Sequence, residues 1–183
     1  MTQMTRLTCT CGQAALELEG RHLVSVECYC NSCRAAGAAL ESLPGAPKLL
    51  EASGATRFVL YRKDRVRCAA GAAHLKEHRL QPASKTRRVV AACCNTPFFL
   101  EFTDGHWLSL YGLRWPLGTL PPLEMRTMTE DLPEGTKLPE DVPNGKTQPF
   151  MFYVKLLGAW IAMRFRVPRV DFVNGALGGE IPR

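Results

Sequence analysis

In the stretch Leu23-Val24-Ser25-Val26-Glu27-Cys28-Tyr29-Cys30-Asn31-Ser32-Cys33-Arg34, a short apolar run leads directly into three closely spaced cysteines. The run reads as a strand. Residues two apart on a strand point to the same face, so Cys28 and Cys30 can aim both sulfurs at one ion. Asn31-Ser32 then provides a turn before Cys33, and a C-x-x-C spacing lets both thiolates approach a metal at the roughly 2.3 Å that zinc and sulfur prefer. Cys28, Cys30 and Cys33 thus form a three-thiolate set. Three protein ligands leave the fourth tetrahedral position open, which is the arrangement of a catalytic zinc; a cysteine from elsewhere in the chain would close it into a structural knuckle.

The same chemistry recurs on either side of this stretch. Upstream, Cys9-Thr10-Cys11 again places two sulfurs on one face of an extended chain. Strand-like runs surround it, at Ala14-Ala15-Leu16-Glu17-Leu18-Glu19 and then at Leu23 to Val26. Downstream, Phe58-Val59-Leu60-Tyr61, Arg88-Val89-Val90-Ala91 and Phe98-Phe99-Leu100-Glu101-Phe102 read as further strands, each bounded by turn residues. A mainly β domain with metal-binding knuckles at the end of a small sheet accounts for this pattern. Cys93 and Cys94 are adjacent, and in an extended strand adjacent residues face opposite sides, so one of the two is expected to be a ligand. Joined to Cys9 and Cys11 it would give a second set of three sulfurs, unless Cys68, His74 or His78 supplies a fourth.

The whole chain sets the context. It has 183 residues, 46% of them hydrophobic and 22% charged, which suits a folded domain with a real core. Eight cysteines call for disulfides, metal or redox chemistry. The first residues, Met1 to Arg6, carry no apolar signal segment, so a reducing, cytoplasmic setting and metal are expected rather than disulfides. A net charge of +6 permits an acidic partner. The basic clusters Arg62-Lys63-Asp64-Arg65-Val66-Arg67, Lys85-Thr86-Arg87-Arg88 and Arg164-Phe165-Arg166 are scattered, however, and read as solvated faces before they read as a nucleic-acid groove.

Three segments follow from the punctuation: a zinc-binding β domain over residues 1–115, a proline-rich wrapping segment over 116–149, and a C-terminal helix and tail over 150–183. Prolines at 116, 121, 122, 133, 139, 143 and 149 predict irregular surface chain in the middle segment. Pro149 then stands where a helix begins, and Phe150 to Phe165 is almost uniformly apolar. It is shorter than the roughly 20 apolar residues of a membrane span. Phe150, Val154, Leu157 and Ile161 share one face at helical spacing, which predicts docking on the sheet or on a second subunit, giving a homodimer.

The order C-x-C, then C-x-C-x-x-C-Arg, then a late cysteine followed by Thr-Pro resembles the glutathione-dependent formaldehyde-activating enzymes, a family that also takes in centromere-protein-V-like proteins. The likeness runs from Cys9 to about Phe102, and its most specific part is Cys28-Tyr29-Cys30-Asn31-Ser32-Cys33-Arg34 with Gly37 just after. It implies a β-tent fold of small antiparallel sheets, with Cys28, Cys30 and Cys33 at the positions of the catalytic zinc. It implies a structural zinc as well, held by Cys9, Cys11 and a late C-x-x-C whose second cysteine matches Cys94. The first cysteine of that late pair falls here on Ala91, an additional thiol stands at Cys93, and Asn95 replaces the usual glycine. Asn tolerates the left-handed conformation, so the turn can survive. Tyr29 stands where members commonly carry histidine. The sequence therefore resembles a divergent branch marked by Cys93-Cys94-Asn95-Thr96-Pro97.

The activity implied is that of a zinc-dependent carbon–sulfur lyase acting on a glutathione-like thiol adduct of a small aldehyde. Arg34 could pair with a substrate carboxylate. The alternative is a zinc-stabilised interaction module without chemistry, in which the metal contributes only folding free energy.

Overall fold

The computed structural model describes residues 3–178, and the protein is mainly β. A hairpin of β1 (Met4–Thr8) and β2 (Ala15–Glu19) is joined by β5 (Val66–Ala70) into a three-stranded sheet ordered β1-β2-β5. The remaining strands are β3 (Val24–Cys28), β4 (Thr56–Arg62), β6 (Leu75–His78), β7 (Thr86–Ala91), β8 (Thr96–Phe102), β9 (Trp107–Tyr111) and β10 (Met125–Thr127). They form a seven-stranded sheet ordered β10-β3-β4-β9-β8-β7-β6, antiparallel except for the parallel pair of β10 and β3.

The large sheet is covered on both faces, and the alternation within β4 shows how. Val59 and Tyr61 point into a core shared with Leu7, Leu16 and Leu18 of the small sheet. Phe58 and Leu60 point into a second core on the other face. That core is closed by two helices, α1 (Asn31–Glu41) through Cys33 and Leu40, and α2 (Phe150–Ala162) through Leu156. Period-two side chains buried on both faces explain why Phe58-Val59-Leu60-Tyr61 is apolar throughout.

Helix α1 is the main element absent from the sequence expectation. Its residues Cys33, Ala36, Gly37 and Leu40 face inward at helical spacing. Gly37 is required by packing, since a Cβ there would lie 2.3 Å from Leu50 Cδ2. The proline-rich stretch is mostly irregular chain with one short strand. It contributes β10, which runs beside β3 with Thr127 opposite Cys28.

The C-terminal helix forms, but ends at Ala162 rather than Phe165. Arg164 and Phe165 both adopt left-handed backbone, with φ of 54° and 57°, and the Phe165 amide closes back onto the Trp160 carbonyl at 2.9 Å. Of the two expected partners for its apolar stripe, the sheet or a second subunit, the sheet is not the one that the stripe meets. Leu156, Ala159 and Met163 are buried, whereas Phe150, Val154, Leu157 and Ile161 are 80%, 41%, 51% and 54% exposed. An apolar helix has no unique stripe to read from spacing, and here polar anchors set its rotation. Trp160 stacks on His106 with ring centroids 5.6 Å apart, His106 Nε2 bonds the Leu156 carbonyl at 2.9 Å, and Lys155 pairs with Glu124. Among the described residues no helix is long and apolar enough to cross a membrane.

Candidate metal centres

Two groups of cysteines come together, and they are built differently. The first joins the two sheets. Cys9 follows β1 and Cys11 lies in the turn to β2, where Gly12 (φ 81°) returns its amide to the Cys9 carbonyl at 3.0 Å. Cys93 and Cys94 lie in the turn from β7 to β8, closed by Asn95 in the left-handed region at φ 53°. The two turns are tied by a hydrogen bond of 2.8 Å between the hydroxyls of Thr10 and Thr96. The four sulfurs all lie within 4.8 Å of one another.

Their separations test the fit to an ion. Cys9 to Cys11 is 3.5 Å, Cys9 to Cys93 is 3.9 Å, Cys11 to Cys93 is 3.3 Å and Cys93 to Cys94 is 3.9 Å. Four sulfurs at about 2.3 Å from a tetrahedral centre stand roughly 3.8 Å apart, so these residues fit a metal ion. A disulfide needs about 2.0 Å, and all eight cysteines are free. The expectation that only one of Cys93 and Cys94 would reach the ion rested on extended geometry. A turn rotates successive side chains through less than a half-circle, and both sulfurs arrive. Ala91, where the late pair would have begun, ends β7 and is wholly buried in the core between the sheets.

Burial raises the Cys9 and Cys93 thiols. Partial burial pushes Cys94 up too, but hydrogen bonds from the Thr96 hydroxyl, 3.1 Å away, and from the Cys11 backbone and side chain bring it down to about 6. Cys94 is thus the sulfur that ionises ahead of Cys9 and Cys93.

The second group is local. Cys28 is the last residue of β3, Cys30 is the N-cap of α1 with extended backbone, and Cys33 lies in the first helical turn. The strand carries Cys28 to the point where the helix begins, and the Cys33 amide donates to Cys30 Sγ at 3.3 Å. The three sulfurs lie within 4.8 Å of one another, and no fourth ligand joins them among the described residues. Hydrogen bonds from Cys28 and then Cys33 hold the Cys30 thiol down to about 3, and giving up those protons' partner raises Cys28 to about 11 and Cys33 well above its usual value. The positive end of the α1 dipole favours the same charge. A nearby cation would favour loss of the remaining protons.

Several supporting residues were not evident from the sequence. Asp131, in the proline-rich stretch, accepts the Asn31 amide at 2.8 Å, and its carbonyl accepts Arg34 Nη1 at 3.3 Å, so Arg34 is engaged with the protein itself. Arg88, which its place beside Lys85 and Arg87 marks as part of a solvated cluster, is 1% exposed, and its Nη2 donates to the Ser32 carbonyl and hydroxyl at 3.3 and 3.2 Å. Arg87 pairs instead with Glu101 and Glu77. The Ala-rich run from Ala35 to Leu40 was the signal for α1. Cys68, His74 and His78 join neither cysteine group; Cys68 Sγ donates to the Ala70 carbonyl at 3.3 Å.

Residues 1–115 match the model of a family of unknown function, DUF6151, and the chain belongs to that family. No curated protein matches. A crystal structure of a Rhodobacter sphaeroides protein, a Northeast Structural Genomics target, is similar with a TM-score of 0.44 and 16% identity, over 76% of this chain and 98% of that one.

Proposed function

We propose that this DUF6151 member holds two zinc ions, one closed by Cys9, Cys11, Cys93 and Cys94 and one open at Cys28, Cys30 and Cys33. The open centre serves a carbon–sulfur lyase reaction on a glutathione-like thiol adduct of a small aldehyde. The observation that carries this reading is the unequal count of sulfurs, four in one group and three in the other. Zinc suits both sets, being bound tetrahedrally by thiolates and needing no redox change. When bound at the three-sulfur group, zinc would lower the pKa of a thiol and stabilise sulfur as nucleophile or leaving group. The chain's own contribution is to hold Cys28, Cys30 and Cys33 at a strand end and helix start, with no fourth protein ligand beside them among the described residues. Eight free thiols suit a reducing compartment such as the cytoplasm.

The test is zinc per chain by elemental analysis together with turnover of the hemithioacetal of glutathione and formaldehyde. Wild type is expected to carry two zinc ions and to cleave the adduct; Cys30→Ser and Cys11→Ser each lose one ion, and Cys30→Ser loses turnover. Two ions with no turnover would overturn the lyase reading and leave an interaction module. That second reading draws on α2, whose Phe150, Val154, Leu157 and Ile161 face solvent and could seat a second copy in a homodimer. Light scattering of wild type against Leu157→Glu distinguishes monomer from dimer.

A further inference from the structure

Arg88 poses a charge problem that the rest of the protein does not solve. It lies on β7, directly across from His78 on β6, and its side chain is almost fully removed from water. Nη2 reaches Ser32, but Nε and Nη1 have no hydrogen-bond partner, nor does Nε2 of His78. Among the described residues no carboxylate pairs with Arg88, although nine other arginine contacts in the fold are ion pairs with Asp or Glu. A guanidinium cannot shed its charge, and a buried cation without an anion is strongly unfavourable. Something nearby must be negative.

The surroundings identify it. Ser32, which Arg88 touches, lies between the ligands Cys30 and Cys33. Val90, two residues along β7, and buried Tyr111 share one core with Cys33, and Cys28 and Cys30 pack against it. The guanidinium thus stands beside the three-sulfur group, held at Ser32.

We propose that Arg88 is the counter-charge of the three-thiolate centre and the residue that lets its open position accept an anionic thiolate. The proposal rests on the reading of Cys28, Cys30 and Cys33 as a divalent-metal centre. A divalent ion with three thiolates carries one net negative charge, which Arg88 cancels. An incoming thiol that releases its proton to solvent then leaves the assembly at minus one, where without Arg88 it would be minus two. A neutral ligand changes neither sum. Arg88 is therefore a positioning residue that selects anionic sulfur over neutral donors, and it acts without touching the substrate.

The experiment uses the full chain loaded with cobalt(II), whose thiolate charge-transfer absorption reports each added sulfur. A difference spectrum against Cys30→Ser isolates the three-sulfur group. Wild type, Arg88→Met and Arg88→Lys are titrated with 2-mercaptoethanol and, separately, with imidazole as a neutral ligand. Arg88→Met is expected to weaken thiol binding about tenfold or more while leaving imidazole binding within roughly threefold, as a unit charge several ångströms away would. Arg88→Lys keeps the charge and is expected to keep the wild-type preference for thiol over imidazole; should Arg88→Met not fold, that preference in Arg88→Lys decides the matter alone. Loss of both ligands together, an unchanged preference in Arg88→Met, or a lost preference in Arg88→Lys would overturn the role of Arg88. If wild type shows no thiolate band that Cys30→Ser removes, the metal-centre reading itself has failed, and the proposal with it.

Discussion

The two cysteine groups use the same side chain for opposite ends. The four-sulfur group draws on two turns far apart in sequence, so closing it fastens the small sheet to the large one. The three-sulfur group is drawn from a single strand end and the first turn of the following helix. Its closure costs little chain entropy, and it fixes little of the fold. Ligation across distant turns would add stability, whereas ligation within one turn would occupy a site that is already formed.

The largest expected effect separates them by stability. Cys11→Ser should lower the melting temperature on the order of 10 °C, because metal binding that exists only in the folded chain is folding free energy. Cys30→Ser should lower it by only a few degrees, about 1 kcal/mol, since α1 retains its own packing. Scanning calorimetry on the two variants checks this, and equal losses would break the distinction. Next in size is Gly37→Ala. Its Cβ would press on Leu50 and shift α1, at about 1–3 kcal/mol. Ion content at the three-sulfur group should fall while the four-sulfur group keeps its ion, which elemental analysis in the Cys30→Ser and Cys11→Ser backgrounds can resolve.

Cys93→Ser and Cys94→Ser sharpen the comparison further. Both should weaken the same ion, measured by competition with a chelator, because a turn brings both sulfurs to it. A loss confined to Cys94→Ser would restore the sequence expectation. The smallest effect is at Asn95, whose φ of 53° suits glycine. Asn95→Gly removes the bond from Asn95 Nδ2 to the Pro44 carbonyl but relieves the left-handed backbone, so urea denaturation should shift by less than about 1 kcal/mol. Asn95→Val should destabilise by about 1–2 kcal/mol.

What the sequence made legible follows the same division. Cys28, Cys30 and Cys33 could be read together because their geometry is local, and the strands around them because Val24, Val26 and Phe58 to Tyr61 carry β-branched and aromatic side chains. Cys93 could not, because its role depends on whether the chain is extended or turned at Ala92–Asn95, and only tertiary contact decides that. Helix α1 was hidden by small residues, Ala35, Ala36, Gly37, Ala38 and Ala39, which carry helical propensity but almost no hydrophobic pattern. Which face of α2 meets the sheet could not be read because nearly all its residues are apolar, leaving Lys155 and Trp160 to set its rotation through Glu124 and His106. Arg88 was hidden by its neighbours. Beside Lys85 and Arg87 it resembles one more surface cation, and nothing in the chain marks it as the one that turns inward.

The central claim, one closed and one open thiolate centre, is tested most directly by cadmium-113 NMR of the fully loaded chain with and without added 2-mercaptoethanol. Two resonances are predicted, the one absent from Cys11→Ser unmoved by thiol and the one absent from Cys30→Ser shifting toward the four-sulfur position. A single resonance, or two that both ignore the thiol, would contradict the account.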